Sequence, residues 1–333
     1  EYGRLIKYFA FFPPLMRLFS KVRSRVFVKY QRSVVLFLSL MVLCAGCSVR
    51  SIAVNALSEA LSADESLVFT GEEDPKLVAE AMPVMLKTYE ALLERAPHDR
   101  ELLIATGKAF TLYAFAFVQI PAERLPDSRA DERMDELLRA RALYRRGRDY
   151  LFTALDLEYP GFSDLTKKGK TDTALAMVTA ADTTALYWTA VAWMGQLTAG
   201  KPGLSAVFNL PKAARLMHEV IAFNDSFGEG AAHEMLVTYY GSLPESVGGS
   251  LEKAREHFEK AVAIAGGTHV RPYVALATVA AREGNREEFE QLLQKALDID
   301  TDHRTRHRLT NVIYQDMARW MLDNAETVLM IED

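Results

Sequence analysis

Cysteine is almost missing from this chain: Cys44 and Cys47 are the only two in 333 residues, and they stand three apart near the start. Everything after Cys47 is therefore free of disulfides, and its folding has to rest on packing. Basic charge is not in excess either, with 39 Lys and Arg against 44 Asp and Glu, so a nucleic-acid partner is not expected. Runs of β-branched residues bounded by glycine are scarce, which argues against a sheet. Motifs of catalysis are missing too: there is no phosphate-cradling glycine loop with a lysine, no G-x-S-x-G and no H-E-x-x-H. Without a reactive constellation the chain reads as a non-enzyme, with no cofactor and no metal expected. What remains is half hydrophobic residues and a quarter charged, an ordinary globular balance dominated by Ala, Leu, Glu, Lys and Arg. An all-α protein is expected.

The N-terminal region follows a secretory pattern. Residues 1–15 precede Met16 and read as upstream sequence. From Met16, a basic lead (Arg17, Lys21, Arg23, Arg25, Lys29, Arg32) runs into the apolar stretch Val34 to Leu43, interrupted only by Ser39. That stretch is well short of the ~20 residues needed to span a bilayer. Residues 16–46 therefore read as a signal peptide and residues 47–333 as one domain. The stretch ends in LCAGCS, where Ala45-Gly46-Cys47 resembles a bacterial lipobox, although Cys44 occupies a place where Leu would be usual. The resemblance implies a lipid on Cys47; the alternative is an ordinary cleaved signal with an incidental cysteine.

The rest carries degenerate helix hairpins. In YVALATVAAREGNREEFEQLLQKALDID (Tyr273 to Asp300), Leu276, Ala277, Ala280, Gly284, Leu293, Ala296 and Leu297 take the spacings of a tetratricopeptide repeat, with Thr301 replacing its usual proline. Earlier pairs follow the same register: LLIATGKAF with RRGRDYLFTALDLEYP, LYWTAVAWMGQL with LPKAARLMHEVIAF, and the Tyr239 helix with LEKAREHFEKAVAIA. Four such units after an N-terminal helical segment predict a tetratricopeptide-like solenoid, because no single hairpin buries its own apolar face.

The units differ in the spacing between their helices. Landmark to landmark, Phe110 to Gly147 is 37 residues, Gly195 to Ala213 is 18, Tyr239 to Ala254 is 15 and Ala280 to Phe289 is 9. The three longer linkers are expected to meet on one edge and enclose a chamber lined by Phe115, Phe117, Tyr187, Trp193 and Tyr239. Within the third, Pro244, Gly248 and Gly249 predict a shaped loop with positive φ at one glycine at least, and Ser250 is placed to cap the following helix. Tyr240 and Trp193 are candidates for a partner surface. His233 is either a packed, hydrogen-bonded imidazole or a ligand contact. His303 and His307 lie among Arg304 and Arg306, whose charge opposes a cation, and read as a solvated basic face.

Taken together, the lipobox, the degenerate repeats and the loop-helix stretch YYGSLPESVGGSLEKAREHFEKA resemble the T-component (TatT) family of bacterial tetratricopeptide-protein-associated TRAP transporters. The resemblance implies a periplasmic lipoprotein that is anchored by lipid alone and forms a homotrimer. It further implies binding to the solute-binding subunit of the transporter, and a pore in each protomer for a hydrophobic or carboxylate ligand. The reading that competes with it is a structural repeat lipoprotein that assembles envelope proteins and holds no ligand.

Overall fold

The computed structural model describes residues 67–201, 203–301 and 305–329, all within the compact unit Ser58–Asp333. The upstream segment, the signal peptide, Cys47 and His303 lie outside the described residues. Among those described, every regular element is helical.

A short α1 (Leu67–Thr70) precedes α2 (Pro75–Leu93), which starts where Asp74 accepts hydrogen bonds from the Lys76 and Leu77 amides and Pro75 supplies a ready helical φ. Its buried stripe, Val78, Met82, Leu86, Tyr89 and Leu93, keeps the three-or-four spacing of one helical face. Four hairpins follow. The first pairs α3 (Arg100–Ala114) with α5 (Ala130–Glu158), and the short α4 (Ile120–Glu123) lies between them. Small helices α6 (Phe162–Lys167) and α7 (Thr171–Leu175) lead to the second, α8 (Thr183–Thr198) with α9 (Leu204–Phe223). The third is α10 (Ala231–Ser242) with α11 (Leu251–Ile264), and the fourth α12 (Arg271–Arg282) with α13 (Arg286–Leu297). Each hairpin packs against the next, and these contacts give the stacked arrangement that the repeat spacing predicts.

Helix crossings fall at the small landmark residues. A Cβ on Gly107 would lie 2.4 Å from Leu151 Cγ and 2.7 Å from the Gly147 carbonyl oxygen, so α3 and α5 touch backbone to backbone there. The last hairpin turns at Gly284, whose φ of 70° is the left-handed conformation that ends a helix cheaply only at glycine. Asn285 then caps α13 by accepting from the Glu288 amide.

The long linkers are mostly not loops. Beyond Ala114 the first helix continues through a π-turn, Phe115–Gln119, directly into α4. In a regular α-helix the Pro121 ring would press on the Phe117 carbonyl, and the wider turn just before it gives that ring room. With α5 running 29 residues, the 37-residue spacing becomes a lengthened hairpin instead of an insertion. The second linker shrinks in the same way to the turn between Thr198 and Leu204. These two tips pack solidly around buried Ala114, Val118, Ala140, Tyr144 and Ala199, and Arg141 donates to the carbonyls of Ala199 and Lys201. The expected wall of three enlarged loops is thus replaced by two helical extensions and one true loop.

That loop is built as the glycines foretell. Gly248 has φ 101°, and the Gly249 amide donates to the Pro244 carbonyl. A Cβ on Gly249 would sit 1.8 Å from the Leu243 oxygen. The Ser250 amide reaches back to the Tyr240 carbonyl at 3.0 Å, and its hydroxyl accepts from the Lys253 amide at 3.2 Å, closing the N-terminus of α11.

A further helix, α14 (Arg308–Asp323), was not apparent from the repeats; a single turn, α15 (Ala325–Val328), follows it. It packs on α12 and α13 and reaches back to α1 and α2. Two buried polar residues fasten it. Gln315 donates to the carbonyls of Ala296, Leu297 and Ile299 at the end of α13, and Asn311 bonds both the Val270 amide and the Thr268 carbonyl. On its other flank Arg124 pairs with Asp316 at 2.6 Å and Arg308 pairs with Glu73.

Candidate functional site

Helices α4, α5, α8, α10, α12 and α14, with the π-turn that precedes α4, bring a polar and aromatic tract together. Glu234, 2% exposed on α10, is ion-paired with Arg271 at the start of α12. Tyr187 on α8 also hydrogen-bonds Arg271, and Tyr314 on α14 lies close enough to feel the charges of both Arg271 and Glu234. Tyr314 in turn packs on Phe115, ring centroids 5.8 Å apart, at the start of the π-turn. From there Gln119 bridges to Glu123 at 2.8 Å and accepts from the Tyr144 hydroxyl at 2.7 Å. Six helices, α4, α5, α8, α10, α12 and α14, thus contribute to one continuous tract.

Electrostatics along the tract follow from burial and pairing. Burial raises the Glu234 pKa, but the opposing pull of Arg271 and His269 wins and holds it below the usual carboxylate range. Burial likewise works against the charge of Arg271; its pairing with Glu234 outweighs it and keeps the guanidinium charged. Burial pushes the phenols of Tyr144, Tyr187 and Tyr314 upward, so all three stay neutral at ordinary pH. Glu123 differs from the rest. Burial raises its carboxyl pKa beyond what Gln119 and Arg124 can offset, yet its surface is exposed.

Beside the tract lies a chain of imidazoles. Asp225 accepts from His233 Nε2 at 3.0 Å, and His233 Nδ1 lies 2.7 Å from His257 Nδ1. With its proton on Nε2, a neutral His233 accepts at Nδ1 from His257. The Tyr240 ring stacks on His257 at an interplanar angle of 6°, and its hydroxyl meets His218 Nε2 at 2.9 Å. Burial, then the nearby His233 and His218, lower the His257 pKa to about 4.

The candidate residues therefore separate. Phe115 and Tyr187 are on the tract, and Tyr187 also packs on Phe227 with centroids 5.1 Å apart. Phe117 turns to Tyr113, 6.1 Å away. Trp193, expected on a chamber wall or partner surface, is 3% exposed and packs edge-on against Phe152 in the core, because Tyr144 and the α5 face cover this side of α8. Tyr239 lies against Tyr240 at 5.0 Å beside the Gly248 loop, and Tyr240 itself, 9% exposed, belongs to the imidazole chain with Lys253 over its ring. His233 is fully buried and hydrogen-bonded, the packed alternative. His307 is not part of a solvated face: it is half-buried, its ring 4.1 Å from that of His269. Two surface clefts, about 200 Å³ beside Phe258 and Leu292 and about 550 Å³ beside Glu90 and Tyr150, contain none of the predicted aromatics. Arg271 and Tyr314 were missed, since their partners lie on helices distant in sequence; Glu123 was missed although its partner Gln119 is one turn away.

An uncharacterized protein of Treponema pallidum (strain Nichols) is 32% identical over 296 residues, spanning 84% of this chain and 92% of its own length. A family model described as TRAP transporter T-component matches residues 71–329, from the turn before α2 to the end of α15, and so takes in every hairpin and the whole tract. The chain belongs to the TRAP transporter T-component family, a family of accessory transport subunits and not of enzymes.

Proposed function

We propose that the protein is a periplasmic lipoprotein, anchored through Cys47 and assembled as a homotrimer, that docks on the solute-binding subunit of a TRAP transporter and holds or passes a small organic ligand along its interior tract. Family membership supports the transport role. The observation that carries the ligand is the line of polar and aromatic groups that runs from the Glu234–Arg271 pair past Tyr314 and Phe115 to Gln119 and Glu123. Arg271 and Tyr314 keep partial accessibility, and the line offers the donors, acceptors and aromatic faces that orient small polar molecules. The solid packing of the first two hairpin tips favours a second reading, a scaffold without ligand.

Native mass spectrometry of the protein purified from its envelope, alone and with the solute-binding subunit, separates the two. The transport reading expects co-purification of that subunit and a small-molecule adduct on the wild-type protein. It also expects Phe115→Trp, a larger ring beside Tyr314, to remove the adduct while the helical circular dichroism stays unchanged. Recovery of the subunit with no adduct in either form would favour the scaffold, and failure to recover the subunit would overturn the docking role. Mass spectrometry of the mature N-terminus tests Cys47 directly: an unmodified residue at any other start overturns the lipid anchor.

A further inference from the structure

Three loops that are remote in sequence place two imidazoles and a carboxylate at one point. Glu229 precedes α10, His269 precedes α12 and His307 immediately precedes α14. One ligating atom from each lies within 4.8 Å of the others. His269 Nε2 is 3.2 Å from Glu229 Oε2, and His307 Nε2 is 3.1 Å from Glu229 Oε1. Each of these two runs to a different carboxylate oxygen and is within a few tenths of an ångström of the about 3.3–3.4 Å that separates two atoms each about 2.0–2.1 Å from a tetrahedral metal.

Orientation gives independent support. Both Nε2 atoms are shielded from solvent and neither makes a hydrogen bond of acceptable geometry, although each is within ion-pair distance of the Glu229 carboxylate. His269 as a whole is only 6% exposed. A buried imidazole nitrogen with no hydrogen-bond partner costs stability unless something else satisfies its lone pair. Behind it, His269 Nδ1 faces Glu234 Oε1 at 3.4 Å, the carboxylate-imidazole arrangement that places the proton on Nδ1 and leaves Nε2 to ligate. The His269 loop is held against α14 by Asn311, which bonds the backbone on either side of the histidine at Thr268 and Val270. Glu229 is presented by a left-handed run, Gly228, Glu229 and Gly230 at φ 55°, 56° and 92°, and Glu229 is the one non-glycine residue with positive φ among those described.

Among the described residues, Arg306 and Arg308 do not block such a site. Arg308 is turned away, its Nε donating to the Thr301 carbonyl and its guanidinium pairing with Glu73. Arg306 is exposed, where water screens its charge. Glu229 contributes the negative charge of the ligand set, because Glu234 is already neutralised by Arg271.

We propose that Glu229, His269 and His307 bind one divalent transition-metal ion, best matched by Zn2+, with water completing the coordination. Two imidazoles and one carboxylate make a borderline-soft set that favours Zn2+ over Mg2+ or Ca2+, which require more oxygen ligands. The ion joins the start of α14 to the starts of two earlier first helices, so its role is to fix the last helix on the stack.

The test uses the native protein purified in detergent, stripped with chelator and titrated with Zn2+ by calorimetry, with Mg2+ and Ca2+ as comparison ions. Wild-type protein is expected to take up one Zn2+ per chain, to show the visible absorption of tetrahedral Co2+ when Co2+ is substituted, and to melt at a higher temperature with Zn2+ than without. Glu229→Gln and His307→Gln sit at the partly exposed side of the site and preserve the fold, as circular dichroism will verify. Each should weaken binding by more than the roughly 10- to 100-fold typical of changes to groups behind the ligands. His98→Gln, at an exposed histidine elsewhere, should change nothing. Absence of stoichiometric Zn2+ binding, or equal affinity in wild type, Glu229→Gln and His307→Gln, would overturn the proposal.

Discussion

Acidification should weaken this fold through His257. Burial, with His233 and His218 as neighbours, holds the His257 pKa at about 4, whereas the unfolded chain would titrate near 6.5. The unfolded state therefore binds a proton between those values and the folded state does not, so stability is complete above the unfolded pKa and is lost as pH falls from 6.5 toward 4. At pH ~4.5 the linkage relation gives a loss of about 2.5 kcal/mol relative to pH ~7.5, a sizeable part of a domain's usual margin. His257 is 9% exposed, so little of this is relieved by solvent. Carboxylates and other histidines titrate over the same range, and a comparison with His257→Gln isolates the one group. An amide at that position can still donate to His233 Nδ1 but cannot charge. Urea unfolding followed by circular dichroism, at pH ~7.5 and ~4.5, should show the wild type losing about 2.5 kcal/mol more than the variant. Equal losses in the two proteins would refute the assignment of the shift to His257.

Breaking the buried pair with Glu234→Gln or Arg271→Met should cost about 3–5 kcal/mol, because each leaves an uncompensated partner; the double variant should recover part of that loss in the same denaturation assay. Gly195→Ala would place a Cβ 2.5 Å from the Tyr144 ring and should cost roughly 1–3 kcal/mol by thermal unfolding, with Tyr144→Leu as a second-site change that relieves it. In the α10 to α11 loop, Gly249→Ala should be more damaging than Gly248→Ala. The first drives a Cβ into the Leu243 carbonyl, whereas the second incurs only the ~1–2 kcal/mol of a non-glycine residue at positive φ, and hydrogen exchange of the Ser250 amide reports both.

The hairpins were legible because their signals are local. Gly284 and Asn285 mark a turn, Ser250 caps a helix, and Leu276 with Ala280 on α12 and Leu293 with Ala296 on α13 each mark the buried face of their helix. The linkers were misjudged because Phe110 and Gly147 mark where two helices cross, and nothing in the sequence marks how far each runs beyond the crossing. The same extension explains Trp193, whose helix looked free on the side that α5 covers. Helix α14 was hidden by Asn311 and Gln315, polar residues at buried positions, whose partners are backbone groups that leave no trace in a hydrophobic pattern. Glu234 could be seen beside His233, but its partner Arg271 is 37 residues away and no local rule connects them. The family resemblance, carried by the stretch around Tyr239 to Ala261, agrees with a match that spans residues 71–329.

Helix α14 changes the mechanics of the stack. A row of hairpins with free ends bends like a spring, each unit adjusting to its neighbours alone. Here the last helix is latched to the first turns by Arg308 with Glu73, to α4 by Arg124 with Asp316, and to the π-turn by Tyr314 against Phe115. The row becomes a hoop, and a hoop has a clasp. Its two ionic hooks have exposed carboxylates, 65% at Glu73 and 61% at Asp316, so they hold far less firmly than the hydrocarbon between hairpins and loosen as salt rises. Widening of the hoop would begin at that clasp, beside Tyr314 and Glu123, and the hairpins would hinge as blocks behind it.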